Sequence, residues 1–331
     1  MTKKNIFSNT LVLVLIALFC CALWGSATPA IKMGYEILAV DTKSVASIML
    51  FAGIRFALAG VLTVIIFSIA RRRVLIPKKE NIPKVLAVSV FQTIVQYIFF
   101  YLGLAYTTGI KGTVTSGSGA FFAVIIASLI FKQERFTLKK IVACVIGFMG
   151  IVVINFNALS FTSDFLDILG VVFVLLSTVS NSFSSVLIKR FSRDEDPVVI
   201  SGYQFIVGGI VMIIIGLILG GRVTVSNFGG VLIFLYLALL SALAYSLWGI
   251  LLKHNPVSRV TVFNFTTPIF GTFLTMLFYP TESASHSPIN LAITLILVSA
   301  GIFLLNYNPK PTPHPLVAQA NEECDEGSSD E

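Results

Sequence analysis

The feature that most constrains this chain is the recurrence, along most of its length, of apolar runs about twenty residues long. A bilayer core about 30 Å thick is crossed by about 20 residues of helix. Hydrocarbon offers no partner to a free N–H or C=O, so a crossing segment must satisfy its own backbone. Ten segments meet that requirement: Thr10–Ile31, Ser44–Ala70, Lys84–Tyr106, Gly112–Phe131, Leu138–Asn155, Asp167–Ile188, Val198–Gly220, Gly229–Leu252, Val260–Tyr279 and Pro288–Tyr307. Composition agrees. Soluble domains hold about 45–50% apolar residues, glycine included, and about 25% charged ones; here 56% are hydrophobic and 12% charged. The expected fold class is an all-α integral membrane protein.

The net charge of +7 is unevenly spread, because Glu322, Glu323, Asp325, Glu326, Asp330 and Glu331 crowd the C-terminal end. The remaining body is strongly basic, and topology accounts for this without invoking nucleic acid. Short cytoplasmic loops collect Lys and Arg. On the ten-span map one side gathers Lys3, Lys4, Arg71, Arg72, Arg73, Lys78, Lys79, Lys84, Lys132, Arg135, Lys139, Lys140, Lys189, Arg190, Arg193, Lys253, Arg259 and Lys310. The other side holds only Lys32, Lys43, Lys111 and Arg222. Both termini are therefore expected in the cytoplasm of a multi-pass cell-membrane protein. A secretory signal is the alternative reading of the first run, with Ser26-Ala27-Thr28-Pro29-Ala30 as its cleavage region. Cys20, Cys21, Cys144 and Cys324 form neither metal spacing nor a disulfide framework. No metal or cofactor is expected.

An internal repeat sharpens the architecture. Residues 99–150 overlie residues 247–298 at a shift of 148, which also pairs Tyr97 with Tyr245 and pairs Lys111 with Arg259, Thr113 with Thr261, Phe122 with Phe270 and Glu134 with Glu282. Upstream, a shift of 149 pairs Gly60 with Gly209 and Arg55 with Gln204, and a shift of 157 pairs Lys32 with Lys189. Each half has five helices, an odd number, so the second must enter the membrane the other way up. The organisation expected is a cytoplasmic N-terminus (1–9), a first five-helix repeat (10–155), an external linker (156–166), a second repeat (167–307) and a disordered acidic cytoplasmic tail (308–331). Inverted repeats suit secondary carriers, because exchanging the conformations of two similar halves moves an opening from one face to the other.

Leu23-Trp24-Gly25-Ser26 in the first helix, Arg55-Phe56 with Gly60 in the second and Gly103-Leu104-Ala105-Tyr106 closing the third form an ordered set. Glu134, Gly147 and Gly150 complete the first half, and Thr267-Pro268-Ile269-Phe270, Glu282 and Gly301 mark the second. In these motifs, over nearly the whole chain to Tyr307, the sequence resembles the EamA branch of the drug/metabolite transporter superfamily. The resemblance implies a ten-helix transporter working by alternating access, with an arginine commonly found where Arg55 stands. Two departures matter. The proline usual near the start of the fourth helix is replaced at Ala120, and the glutamate that small relatives use in the first helix is missing, no acid preceding Glu36.

Arg55 is the one ionisable residue expected near mid-membrane, about 16 Å along its helix from Ser44. An ionisable side chain there costs at least about 2.5–3.5 kcal/mol, so it asks for a reason. Its guanidinium suits a carboxylate or phosphate, although bonding to backbone carbonyls or lining a watery vestibule would also explain it. Gln92 and Gln96 share one face of the third helix beside Tyr97 and want partners, from a solute or from neighbouring helices. Ser116 and Ser118 with Asn264, Thr266 and Thr267 form a second polar set; Gly117 and Gly119 beside them equally suit close packing. Asn181, Ser177 and Ser180 form a stripe whose repeat position matches Trp24, and Thr28 lies one turn beyond Trp24. Tyr245 and Trp248 could stack on a solute or anchor a helix. Pro29 and Pro268 should bend their helices. Glu134 and Glu282 are expected to orient the next helix, with Thr137 and Ser287 as caps.

The candidate binding residues are thus Trp24, Thr28, Arg55, Gln92, Gln96, Tyr97, Ser116, Ser118, Asn181, Tyr245, Trp248, Asn264 and Thr267. One embedded arginine and no embedded acid favour a carboxylate-bearing or neutral metabolite such as an amino acid, moved outward, over a drug or organic cation. No Ser-Lys, Asp-Asp or His-based constellation at depth supports an enzyme. A scaffold or sensor acting through its tail is the competing class. The expected partners are a small-molecule substrate and the lipid bilayer, with no nucleic acid and a homodimer left open.

Overall fold

The computed structural model describes residues 6–107, 112, 115–155, 165–225, 227–278 and 288–306. Among the described residues a 3-10 turn (Ile6–Ser8) precedes ten helical elements: α1 (Thr10–Ile37), α2 (Val45–Ala70), α3 (Lys79–Tyr106), α4 (Thr115–Ile130), α5 (Leu138–Asn155), α6 (Phe165–Phe191), α7 (Pro197–Ile218), α8 (Phe228–His254), α9 in three parts from Val257 to Phe278, and α10 (Pro288–Asn306). Seven of them are singly long and apolar enough to cross a membrane; α4, α5 and α9 make up the rest of the expected spans. The chain is an all-α, multi-pass membrane protein.

Local sequence explains the helix ends. Asn9, Ser44, Asp196 and Asn227 accept from backbone N–H groups in the first turns of α1, α2, α7 and α8, and Pro197 fills the first position of α7. The first helix runs six residues past the expected Ile31, through Gly34, and ends at Leu38 and Ala39 (φ 47°). The helix continues through Pro29, which leaves the Gly25 carbonyl without its usual donor but does not end the element.

Three expected continuous helices are interrupted. In α3 the residues Val90–Val95 form a π-helix, and α4 ends in a second one at Ile126–Ile130. In α9, Val257–Thr261 is α-helical, Val262–Thr266 is a 3-10 helix, and Thr267–Phe278 resumes with Pro268 in its first turn. Repeat symmetry carries this break into the first half. Ser118 donates from both N and Oγ to Thr115 O, and its mate Thr266 donates from Oγ1 to Phe263 O, the mate of Thr115. Ala120 therefore leaves the break in place although it removes the proline. The hydroxyl bonded back to its own turn does that work in both halves.

Helix packing follows a pseudo-two-fold axis. α2 packs most extensively against its mate α7, and α5 packs on its mate α10; α3 on α6 answers α1 on α8, and α4 on α6 answers α1 on α9. The α2–α7 seam is built on small residues, the usual means of close approach between helices in lipid. A Cβ added to Gly60 would lie 2.5 Å from Gly202 O, and one added to Gly209 would lie 2.3 Å from Ala57 N. At the centre Phe56 stacks on Phe205, its mate at the shift of 149, with centroids 5.1 Å apart and planes 8° apart.

The repeat pairs involving Lys111, Thr113 and Glu282, residues 156–164 of the linker, the Ser287 cap and the acidic tail lie outside the described residues. Glu134 contacts the next helix, as expected, and a more distant one as well. Its carboxylate accepts from Ser258 N (3.1 Å) and Ser258 Oγ, so it caps the first turn of α9 across the bundle; its link to α5 is the ion pair with Lys140 at 2.7 Å. An acid just past α4 reaches whichever orphan N–H groups the fold brings to it, and chain order does not reveal that.

Candidate functional site

The axis runs through a cluster of aromatic side chains around Arg55. Tyr97 and Tyr245 are repeat mates, and their hydroxyls meet at 3.1 Å. Phe56 lies 4.6 Å from the Tyr97 ring and Phe205 lies 4.8 Å from the Tyr245 ring, so two mate pairs interlock. Tyr101 extends the cluster at 5.8 Å from Tyr97. Trp24 reaches it from α1, edge-on to Tyr245 (5.1 Å) and to Trp248 (4.9 Å).

Arg55 is only 5% exposed, with its guanidinium carbon 4.3 Å from the Phe56 centroid. Its charge acts on the phenols of Tyr35, Tyr101 and Tyr245. No carboxylate pairs with it and its Nε has no hydrogen-bonding partner among the described residues. Stacking on an aromatic face offsets part of the cost of burying the cation, but an unmet donor in a desolvated place remains expensive. Its mate Gln204 is fully buried and held on one side only, for its Nε2, like Arg55 Nε, has no partner among the described residues. Gln204 Oε1 accepts from Thr93 Oγ1 at 2.6 Å, and its backbone carbonyl accepts from Ser89 Oγ at 3.0 Å.

The other candidates fall into three groups. Trp24, Tyr97, Tyr245 and Trp248 join Arg55 through the aromatic cluster; Trp24 Nε1 is buried and unpartnered, while Trp248 is 3% exposed and lies behind Trp24. Gln92, inside the π-helix, and Gln96, directly after it, each hold an Oε1 without a partner among the described residues. A π-turn shifts the register of α3 at this point, and such turns recur at functional sites. Its Phe91 carbonyl accepts from Ser180 Oγ at 2.6 Å, so that member of the α6 stripe holds the distorted backbone. Asn181 beside it is half-buried, and its carbonyl takes the Ser184 and Ser185 hydroxyls.

The third group lies at the breaks of α4 and α9. Ser118 turns to its own backbone, Ser116 and Asn264 are half-buried, and Thr267 Oγ1 is buried with no hydrogen-bond partner among the described residues. Gly119 serves packing, since Ser182 Oγ donates to its carbonyl at 2.9 Å. Thr28 is exposed on α1, close to Gly271 of α9 and apart from the aromatic cluster. Sequence reasoning missed Tyr35, Tyr101 and Phe205 as neighbours of the site. The signal was present for two of them: Phe205 is Phe56 shifted by 149, and Tyr101 is one turn past Tyr97.

The comparisons bear on what such a bundle does. The sequence model described as the EamA-like transporter family matches twice, over residues 11–156 and 168–307. An uncharacterized transporter of Archaeoglobus fulgidus is 30% identical over 188 residues, which is 56% of this chain and 61% of that protein. An uncharacterized transporter of Synechocystis is 26% identical over 326 residues, covering 92% of this chain and 91% of its own length. A WAT1-related chloroplastic protein of Arabidopsis thaliana is 22% identical over 295 residues, covering 86% and 67%. The chain thus spans about three fifths of the first of these relatives and more of the other two. A crystal structure superposes with a TM-score of 0.72 over 88% of this chain and 97% of its own, at 18% identity, a likeness of fold alone.

Proposed function

We propose that this chain, which belongs to the EamA-like transporter family and is a membrane transporter, moves a small metabolite bearing a carboxylate, with an amino acid as the model case. The solute sits between the two inverted halves at the Arg55 cluster. Transport is outward across the cell membrane, with the Lys- and Arg-rich face and both termini in the cytoplasm. The observation that carries this reading is Arg55, buried against Phe56 with, among the described residues, an unmet Nε donor and no acid paired with it. A carboxylate beside Arg55 supplies both the missing counter-charge and the missing acceptor. Trp24, Tyr97 and Tyr245 give it apolar walls, and the unpartnered amide oxygens of Gln92 and Gln96 can accept from a solute's amine or hydroxyl. An organic cation finds no carboxylate here among the described residues, so drug or cation efflux fits less well.

The test is an uptake and efflux panel in vesicles, using labelled amino acids, other carboxylates, amines and neutral solutes. Arg55→Ala and Gln96→Ala are compared with the intact chain. Arg55→Ala should lower transport of acids by about a hundredfold, the scale of a lost charge-assisted contact, and Gln96→Ala should lower it less. Intact transport of every moved solute in both variants would sink the assignment.

A further inference from the structure

Four carboxylates at the basic face are already engaged. Asp194 pairs with Lys84 at 2.5 Å, Asp196 with Arg71, and Glu134 with Lys140 and Ser258. Glu195 accepts from Lys78 N at 3.0 Å, Asn81 Nδ2 at 3.1 Å and Asp196 N at 3.0 Å. The cations at the ends of α6 and α8 are not matched in this way. A cleft of about 260 Å³ lies between those ends, lined by Lys189, Ser192, Arg193, Lys253 and His254, with no acid among the lining residues. Arg193 also borders the neighbouring cleft, where Glu80 and Asp194 stand. Among the described residues no carboxylate forms an ion pair with Lys189, Arg193 or Lys253.

The positive charge by itself has ordinary causes. Loops on this face collect Lys and Arg, and helix ends leave carbonyls open to basic side chains. Lys189 answers that need, donating from Nζ to Leu252 O at 3.1 Å and to Asn255 O at the end of α8. Ser192 has no such cause. It is fully buried at the floor of the cleft; its N–H is used, on Ile188 O at 2.8 Å, but its hydroxyl has no partner among the described residues. Other hydroxyls of α6 turn back to the carbonyl four residues earlier, as Ser182 does on Thr178 O at 2.8 Å and Ser185 on Asn181 O at 3.2 Å. A buried hydroxyl left unmet beside unpaired cations lacks an acceptor, and the missing acceptor is negatively charged.

We propose that this cleft is a binding site for a phosphate group, held by Arg193, Lys253, Lys189 and the Ser192 hydroxyl. The donors come from α6, the α6–α7 loop and α8, an arrangement that suits a group with several oxygens and more than one negative charge. Arg193 offers a planar fork and Lys253 a point charge. Two of the three donors on Lys189 are used on carbonyls, which leaves one. His254, stacked on Phe7 with centroids 5.8 Å apart, walls one side. Water takes about 30 Å³ per molecule in the liquid, so the cleft has room for a phosphate and some of its hydration. The group has two possible sources, the headgroup of an anionic lipid in the leaflet at the basic face or a soluble phosphate. Either one bridges α6 to α8, the helices that Lys189 already ties together. The site does not depend on which solute the chain carries.

The experiment uses the full chain in neutral detergent, with two probes. Inorganic phosphate is titrated against chloride at constant ionic strength while thermal unfolding is followed, and retention of phosphatidylglycerol against phosphatidylcholine is measured by native mass spectrometry. In the intact chain at least one of the two probes should bind. The double variant Arg193→Gln with Lys253→Gln should bring that binding down to the chloride or phosphatidylcholine background. Ser192→Ala should weaken it about tenfold, the scale of one hydrogen bond to a charged group, without lowering the melting temperature of the ligand-free chain, since the lost hydroxyl had no partner. Arg73→Gln with Lys79→Gln removes the same charge from exposed positions on the same face and should leave binding intact. Phosphatidylglycerol that phosphate cannot displace assigns the site to lipid; stabilisation by phosphate, with displacement of the lipid, assigns it to a soluble ligand; either upholds it. Binding of neither probe, unchanged binding in Ser192→Ala, or equal loss in both double variants overturns it, the last because diffuse charge would then explain the effect.

Discussion

Helices α2 and α7 occupy equivalent places in the two halves and pack face to face, yet one carries Arg55 and the other Gln204. Gln204 is anchored to Thr93 and Ser89 of α3. Arg55 has an aromatic face under it and an Nε with no partner among the described residues. The shared features, Gly60 with Gly209 and Phe56 with Phe205, hold the halves together. Arg55 and Gln204 each keep one buried donor unmet, and what differs is the charge of Arg55, which has no counter-charge among the described residues. The seam is shared by both halves, the mates Tyr97 and Tyr245 both belong to the candidate site, and the charge of Arg55 is where the halves depart from each other there.

That comparison breaks most severely at the seam. Gly209→Leu places a side chain where a Cβ alone would lie 2.3 Å from Ala57 N, and Gly60→Leu does the same against Gly202 O. Overpacking costs about 1–3 kcal/mol where neighbours can yield, and backbone yields least. Both variants should lose the monodisperse folded species on size-exclusion chromatography; loss in only one would show that the seam is not shared equally. A smaller effect is expected on the axis itself. Tyr97→Phe and Tyr245→Phe each remove the same 3.1 Å hydrogen bond, worth about 1 kcal/mol, and should lower the melting temperature alike. Unequal shifts would place a further demand on one hydroxyl.

The smallest effect lies at the basic face. Asp194, in the α6–α7 loop, pairs with Lys84, and Arg71 pairs with Asp196. The hydrogen bond and charge of Lys84 hold the Asp194 carboxyl below its ordinary range. A carboxyl depressed by folding adds stability above its unfolded value, about pH 3.9, and that stability is lost as pH falls through the folded value. Asp194 is exposed, so screening keeps the contribution slight. Asp194→Asn should melt marginally below the intact chain at neutral pH, and the gap should close in acid; a gap that widens in acid would contradict the assignment.

Much of this was legible in the sequence. Apolar runs and loop charge gave the elements, and the shifts of 148 and 149 named the pairs Tyr97–Tyr245 and Gly60–Gly209 before any contact was known. The α-helix rule of a shared face at four residues could not reveal the π-turn around Gln92, because i to i+5 bonding is set by tertiary demands such as Ser180 on Phe91 O. Ser118, a candidate ligand, and Thr266, a member of the same polar set, both bond back to their own turns, which the sequence does not reveal because a hydroxyl in an apolar run reads the same whether it faces a cavity or its own backbone. The second contact of Glu134 was hidden for a similar reason, its partner Ser258 being 124 residues away.

The central claim is that Arg55 recognises an acidic group. It is tested most directly by counterflow in proteoliposomes with matched pairs, each carboxylate solute the protein moves set beside its primary amide, in the intact chain and in Arg55→Gln. The account predicts a strong preference for the acid in the intact chain and near equality in the variant, with amide transport little changed. The same acid-to-amide ratio in both proteins would contradict it.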